Sequence, residues 1–133
     1  MTMHGVFVEK ADACLAAITG DPRWDLQDEL LFQVAAFTWY GYCFGIGRTL
    51  YFLDANEIDA HVIARLTGLG AGDKYVRGLV ARAREDFGDT PPDENDVYTQ
   101  LIGIGHSHFL GRNHSALVAS IYDNYALLSG GAS

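Results

Sequence analysis

The chain has 133 residues, 49% of them apolar, which suits one domain with a single real core. Its net charge of −8 disfavours nucleic acid as a partner, because phosphate contacts need a basic footprint. No low-complexity tract and no repeat of solenoid length occurs, which argues against long disorder and against a repeat array.

A first helix is predicted from Val6 to Ile18, where Phe7, Ala11, Cys14, Leu15 and Ile18 recur at helical spacing and Gly20 follows as a stop. Asp21-Pro22 predicts the start of a second helix, with a capping carboxylate and a proline at the first helical position. Asp25, Asp28 and Glu29 would then lie near its positive end.

The stretch from Leu30 to Gly47 contains no charge. Such a run is either the buried centre of a helical domain or a membrane span. Trp39, Tyr40 and Tyr42 sit in its middle, whereas aromatic residues of membrane helices favour the ends. The other predicted helices are two-faced and need something to pack on. Burial is therefore expected, and no membrane partner. Small residues then gain a packing meaning. Gly41 and Gly45 form one row, and Gly103, Ser107 and Gly111 another, so the second and fifth helices are expected to cross there.

Residues 49–53 read either as a short strand or as more helix. Asp54-Ala55-Asn56-Glu57 has the form of a capping box for a third helix over 55–67. A glycine-rich turn, 68–72, leads to a fourth helix, with Asp73 as its cap and Phe87 near its end. Asp89 to Asp96 is an acidic loop containing Pro91-Pro92. A fifth helix is expected over 94–110, with Val97, Leu101, Ile104 and His108 on one side. Asn113 is expected to cap a sixth, over 114–128. The predicted fold is all-α: one domain over 1–133, with about six helices around a buried second helix. The alternative is α+β with a small hairpin near 49–53.

Charge is laid out in three blocks. Residues 1–64 carry nine acids and three bases, 65–84 five bases and one acid, and 85–133 seven acids and one base. Six carboxylates lie between Glu85 and Asp96, without the ligand order or central glycine of a calcium loop. They read as a solvated loop or as a contact surface for a basic protein. Asp89, Asp93, Glu94 and Asp96 are the expected contact residues, with Tyr98 as an aromatic anchor.

His106, His108 and His114 fall within nine residues, and imidazole is the commonest metal ligand. In a helix, however, His106 and His108 point about 200° apart. His108 shares a face with Arg112, and His61 has helical spacing to Glu57. A metal site would need His61, His106, His108, His114 and Glu57 to meet across the bundle. Structural histidines are the simpler expectation, since no HExxH or ExxH motif occurs. Gly68 to Lys74 matches no phosphate-binding pattern, and no cofactor is expected. Cys43 lies in the most apolar segment, which disfavours a reactive thiolate paired with His106 or His108.

The first ten residues lack the basic and apolar regions of a secretory signal, and Cys14 and Cys43 read as reduced, buried thiols. A cytoplasmic location follows as an expectation. The expected function is that of a small acidic, non-catalytic module engaging a basic protein, by analogy with compact inhibitors that neutralise a toxin or nuclease. The alternatives are a helical metalloprotein or metal-dependent enzyme, and a bundle whose Phe37, Tyr40 and Phe44 line a ligand pocket.

Overall fold

The structure is a computed structural model that describes residues 2–85, 97–108, 111 and 114–131. Six α-helices are present among them: α1 (Met3–Thr19), α2 (Glu29–Gly45), α3 (Ala55–Gly68), α4 (Asp73–Arg84), α5 (Val97–Ser107) and α6 (Ser115–Ala126). No strand occurs among the described residues, and the fold is an all-α bundle about α2.

The start of α2 differs from the sequence expectation. Asp21 does not open it. Its carboxylate accepts from the Arg23 amide at 2.9 Å, and that of Asp25 accepts from the Gln27 amide at 3.0 Å, so each holds a local turn. Asp28 is the cap that starts the helix, accepting from the Leu31 amide at 3.1 Å. Asp73 likewise is not a cap: Gly72 precedes α4, and Asp73 sits inside the first turn, bonded to Arg77 at 2.9 Å. His114 occupies the cap position of α6, while Asn113 lies outside the described residues.

Residues 46–50 form a π-helical turn that ends α2, not a strand. Leu53 then donates its amide to the Gly47 carbonyl at 2.8 Å. The reversal puts Phe52 at φ 56°, a left-handed conformation that costs a side-chain-bearing residue roughly 1–2 kcal/mol. Asp54 caps α3 by accepting from the Asn56 amide at 2.8 Å.

The whole of α2 from Leu31 to Gly45 is buried except Gln33 and Phe44, which are half-buried. The helical stretch Glu29–Leu50 is long and apolar enough to cross a membrane, yet 83% of its most apolar window is covered by the rest of the chain. Among the described residues, buried polar side-chain atoms are paired, Thr67 Oγ1 excepted. The Trp39 indole N–H donates to the Ala11 carbonyl at 3.0 Å, and the Thr38 hydroxyl to the Val34 carbonyl at 2.7 Å. Tyr122 donates to the Ile18 carbonyl at 2.9 Å, which fastens α6 to α1.

The closest pairing is between α2 and α5. A Cβ placed on Gly41 would stand 1.9 Å from the Ile102 carbonyl oxygen, and one on Gly105 would stand 1.7 Å from that of Thr38. The two backbones are thus in mutual contact, each through the other's glycine. Partner positions rise together along both helices: Gln33 and Phe37 lie beside Tyr98, and Gly41 beside Ile102 and His106. The two therefore run parallel.

The crossing joins the expected helices but through a different row on α5. Gly103, Ser107 and Gly111 are exposed, and nothing lies within 4 Å of a Cβ at Gly103. The buried residues of α5 are Thr99, Leu101, Ile102 and Gly105; of the expected side Leu101 is buried, while Val97, Ile104 and His108 are half-buried.

Candidate contact surface

Four arginines among the described residues pair with the chain's own acids. Arg23 binds Asp21 through Nε and Nη2, both at 2.9 Å. This grip holds the Asp21 carboxyl down at about 2. Arg65 pairs with Asp12 at 3.0 Å, Arg77 with Asp73 at 2.9 Å, and Arg84 with Asp59 at 2.8 Å. With the arginines so engaged, the surplus negative charge falls on carboxylates such as Asp25 and Asp123, which make no ion pair among the described residues.

Those two carboxylates share a groove with Asp28. It has a volume of about 530 Å³ and lies between the 21–28 turns and α6, lined also by Arg23, Leu31, Tyr122, Tyr125, Ala126 and Ser129. The Arg23 guanidinium is spoken for, bound to Asp21 and lying 4.1 Å over the Tyr122 ring. Tyr125 donates its hydroxyl to Asp28, which lowers the Asp28 pKa. Leu127 and Leu128 follow directly, 62% and 42% exposed. The surface therefore offers carboxylates, a tyrosine and apolar contact side by side, the mixture that receives a basic side chain and its aliphatic stem.

Sequence reasoning missed this groove. It assigned Asp25 and Asp28 to the first turns of a longer helix. The signal available was the spacing of Asp21, Asp25 and Asp28, three turn-forming residues in eight positions.

Asp89, Asp93, Glu94 and Asp96 lie outside the described residues. Tyr98 is half-buried. Its ring centroid is 4.7 Å from that of Phe37, and the Arg82 guanidinium lies 4.2 Å over it. Its hydroxyl donates to Gln33 Oε1 at 3.4 Å.

The histidines go to separate partners. His61, with a side chain 8% exposed, donates Nε2–H to Asp12 at 2.9 Å and packs edge-on against Phe7; it turns to Asp12 and not to Glu57, which is exposed. His108, just past the end of α5, donates Nδ1–H to the Ile104 carbonyl at 2.8 Å. His114 Nε2 and the Tyr42 hydroxyl are hydrogen-bonded to each other at 3.3 Å. His106 is half-buried on α5, and Arg112 lies outside the described residues. Among the described residues, no three side chains of metal-binding type come together. Burial lowers the pKa of His61, His106 and His114, favouring the neutral ring; at His61 the Asp12 carboxylate opposes this in part.

Burial pushes the Cys14 thiol up to about 12 and the Cys43 thiol well above its ordinary value, so neither is a nucleophile at neutral pH. Phe37, Tyr40 and Phe44 do not share one face to a cavity. Tyr40 is fully buried, with its hydroxyl on Asp59 at 2.9 Å, and Phe44 packs at its ring; Phe37 turns toward Tyr98.

Compared with protein-family models, curated proteins and solved structures, the chain finds no match to any of them.

Proposed function

We propose that this protein is a small cytoplasmic binding module that engages a basic protein through its acidic surface and performs no chemistry itself. Compact inhibitors that neutralise a toxin or a nuclease act in this way. The observation that carries the reading is the groove of Asp25, Asp28 and Asp123, beside Tyr125 and the exposed Leu127 and Leu128. A concentrated negative potential speeds encounter with a basic partner, and adjoining aromatic and apolar groups supply the short-range grip. The acidic segment 89–96 is the second candidate contact. The geometry favours this reading over a metal-dependent one, because His61, His108 and His114 each have a partner of their own.

The test is affinity capture from the source cell with three baits: wild type, the pair Asp25→Asn with Asp123→Lys, and the triple Asp93→Lys, Glu94→Lys, Asp96→Lys. Asp25→Asn keeps an acceptor for the Gln27 amide, and Asp123 is exposed, so the pair leaves the fold intact. Wild type is expected to retain a protein of high isoelectric point that salt releases. The pair is expected to weaken retention by about tenfold or more. Equal retention by all three baits would exclude both acidic surfaces.

A further inference from the structure

We propose that the end of the bundle carrying Phe52 is a self-association surface, which pairs two copies of this chain about a two-fold axis. Phe52 is 79% exposed, the most exposed of the large apolar side chains among the described residues. Among those residues it is also the one with a side chain whose φ is positive, at 56°. Glycine would hold that conformation at no steric cost. In the isolated chain the Phe52 ring gains little burial to offset the strain.

The conformation is held from both sides. Leu53 is buried, its amide donates to the Gly47 carbonyl at 2.8 Å, and its carbonyl accepts from Arg48 Nη1 at 3.2 Å. On the other side the Tyr51 amide donates to the Ile46 carbonyl at 3.1 Å. Phe52 is thus presented to solvent on a pinned reversal, a preorganised aromatic group of the kind that anchors interfaces.

The surroundings point to the occupant. Arg48, Asp54 and Glu57 flank Phe52 in the chain, and all three are exposed. The start of α1 lies at the same end: a Cβ on Gly47 would stand 3.2 Å from the Phe7 ring, and Met3, one helical turn before Phe7, is 55% exposed. Apolar groups here sit among charges of both signs, so the surface is complementary to itself. Turned about a two-fold axis beside Phe52, Arg48 of each copy meets Glu57 of the other, while Phe52 and Met3 leave water together. The groove of Asp25, Asp28 and Asp123 would repel its own copy instead. Asp28 caps the start of α2 and Phe52 follows its end, so the two surfaces stand roughly 25 Å apart along the helix. Pairing through Phe52 leaves both acidic grooves open.

The test is analytical ultracentrifugation of purified wild type, Phe52→Gly, Arg48→Glu and Glu57→Arg over a range of concentrations, with circular dichroism confirming the helical fold. Wild type is expected to show a reversible monomer–dimer equilibrium. Phe52→Gly should weaken the dimer by about tenfold or more. Measured dilute, it should also melt roughly 3 °C above wild type, because glycine relieves the strain; a residue kept for packing would do the opposite. Arg48→Glu and Glu57→Arg should each weaken the dimer by about tenfold. An equimolar mixture of the two should recover it as a heterodimer, since the reversed charges then face each other. The proposal is overturned by wild type that stays monomeric at about 1 mM, by undiminished pairing in Phe52→Gly, or by a mixture that pairs no better than its components. Growth into larger assemblies would equally overturn it, because two-fold pairing closes at the dimer. The readout involves none of the groove residues, so it stands apart from capture of a basic partner.

Discussion

Burial holds His61, His106 and His114 toward the neutral form, below the ordinary 6.5, and this fixes the sign of the acid response. Between the lowered folded values and 6.5, the unfolded chain binds more protons than the folded one. Stability contributed by these rings is thus complete above 6.5 and is lost as pH falls from there toward their folded values. The urea midpoint is expected to drop between pH 7.5 and pH 5.5, and replacing His106 and His114 with glutamine should flatten that slope. A midpoint that rises on acidification would show instead that Asp12 holds His61 as an imidazolium. Asp21 and Asp28, both lowered, act in a separate window and release their contribution only below 3.8. The histidines were visible in the sequence as a cluster. Their partners were not, because Asp12 lies 49 positions from His61 and Tyr42 lies 72 from His114. Periodicity finds neighbours within a helix and carries no information about such pairs.

The contact that organises the elements is the parallel seam of α2 and α5. At Gly41 and Gly105 each helix sets a Cα against the other's carbonyl oxygen, an approach that any side chain would block. Gly41→Ala and Gly105→Ala are each expected to cost about 3 kcal/mol or more, because the added methyl meets rigid backbone rather than a flexible side chain. Gly103→Ala should gain up to about 1 kcal/mol from helix propensity, since its Cβ enters open space. Chemical denaturation of the three variants checks the pattern, and equal effects at 103 and 105 would break it. The apolar spacing announced both helices, and Gly41 as a contact was legible. The face of α5 was not. Leu101, Ile102 and Ile104 are apolar on both sides of Gly103 and Gly105, so the sequence offers no stripe to choose between two glycines set two residues apart. The start of α2 failed for a different reason. Aspartate stabilises turns and helix caps through the same acceptor geometry, and only tertiary packing decides which of Asp21, Asp25 and Asp28 begins the helix.

At the scale of the whole molecule, a helix with no charge beyond Glu29 at its start is enclosed so that charge remains outside, and that charge is sorted. Arg23, Arg65, Arg77 and Arg84 each meet an aspartate of the chain itself. Surplus acid is left around the α6 groove among the described residues. The acidic, basic, acidic order was readable from composition along the chain. The groove was not, because it combines segments distant in sequence. Both proposed surfaces presuppose that α2 is a core helix in water. Amide hydrogen exchange on wild-type protein in detergent-free buffer tests that claim most directly. The account predicts that Phe32 to Gly45 of α2 and Leu101 to Gly105 of α5 exchange slowest and with one common opening free energy, that of global unfolding. Rapid exchange along α2 in aqueous buffer, with protection gained only when detergent is added, would contradict it.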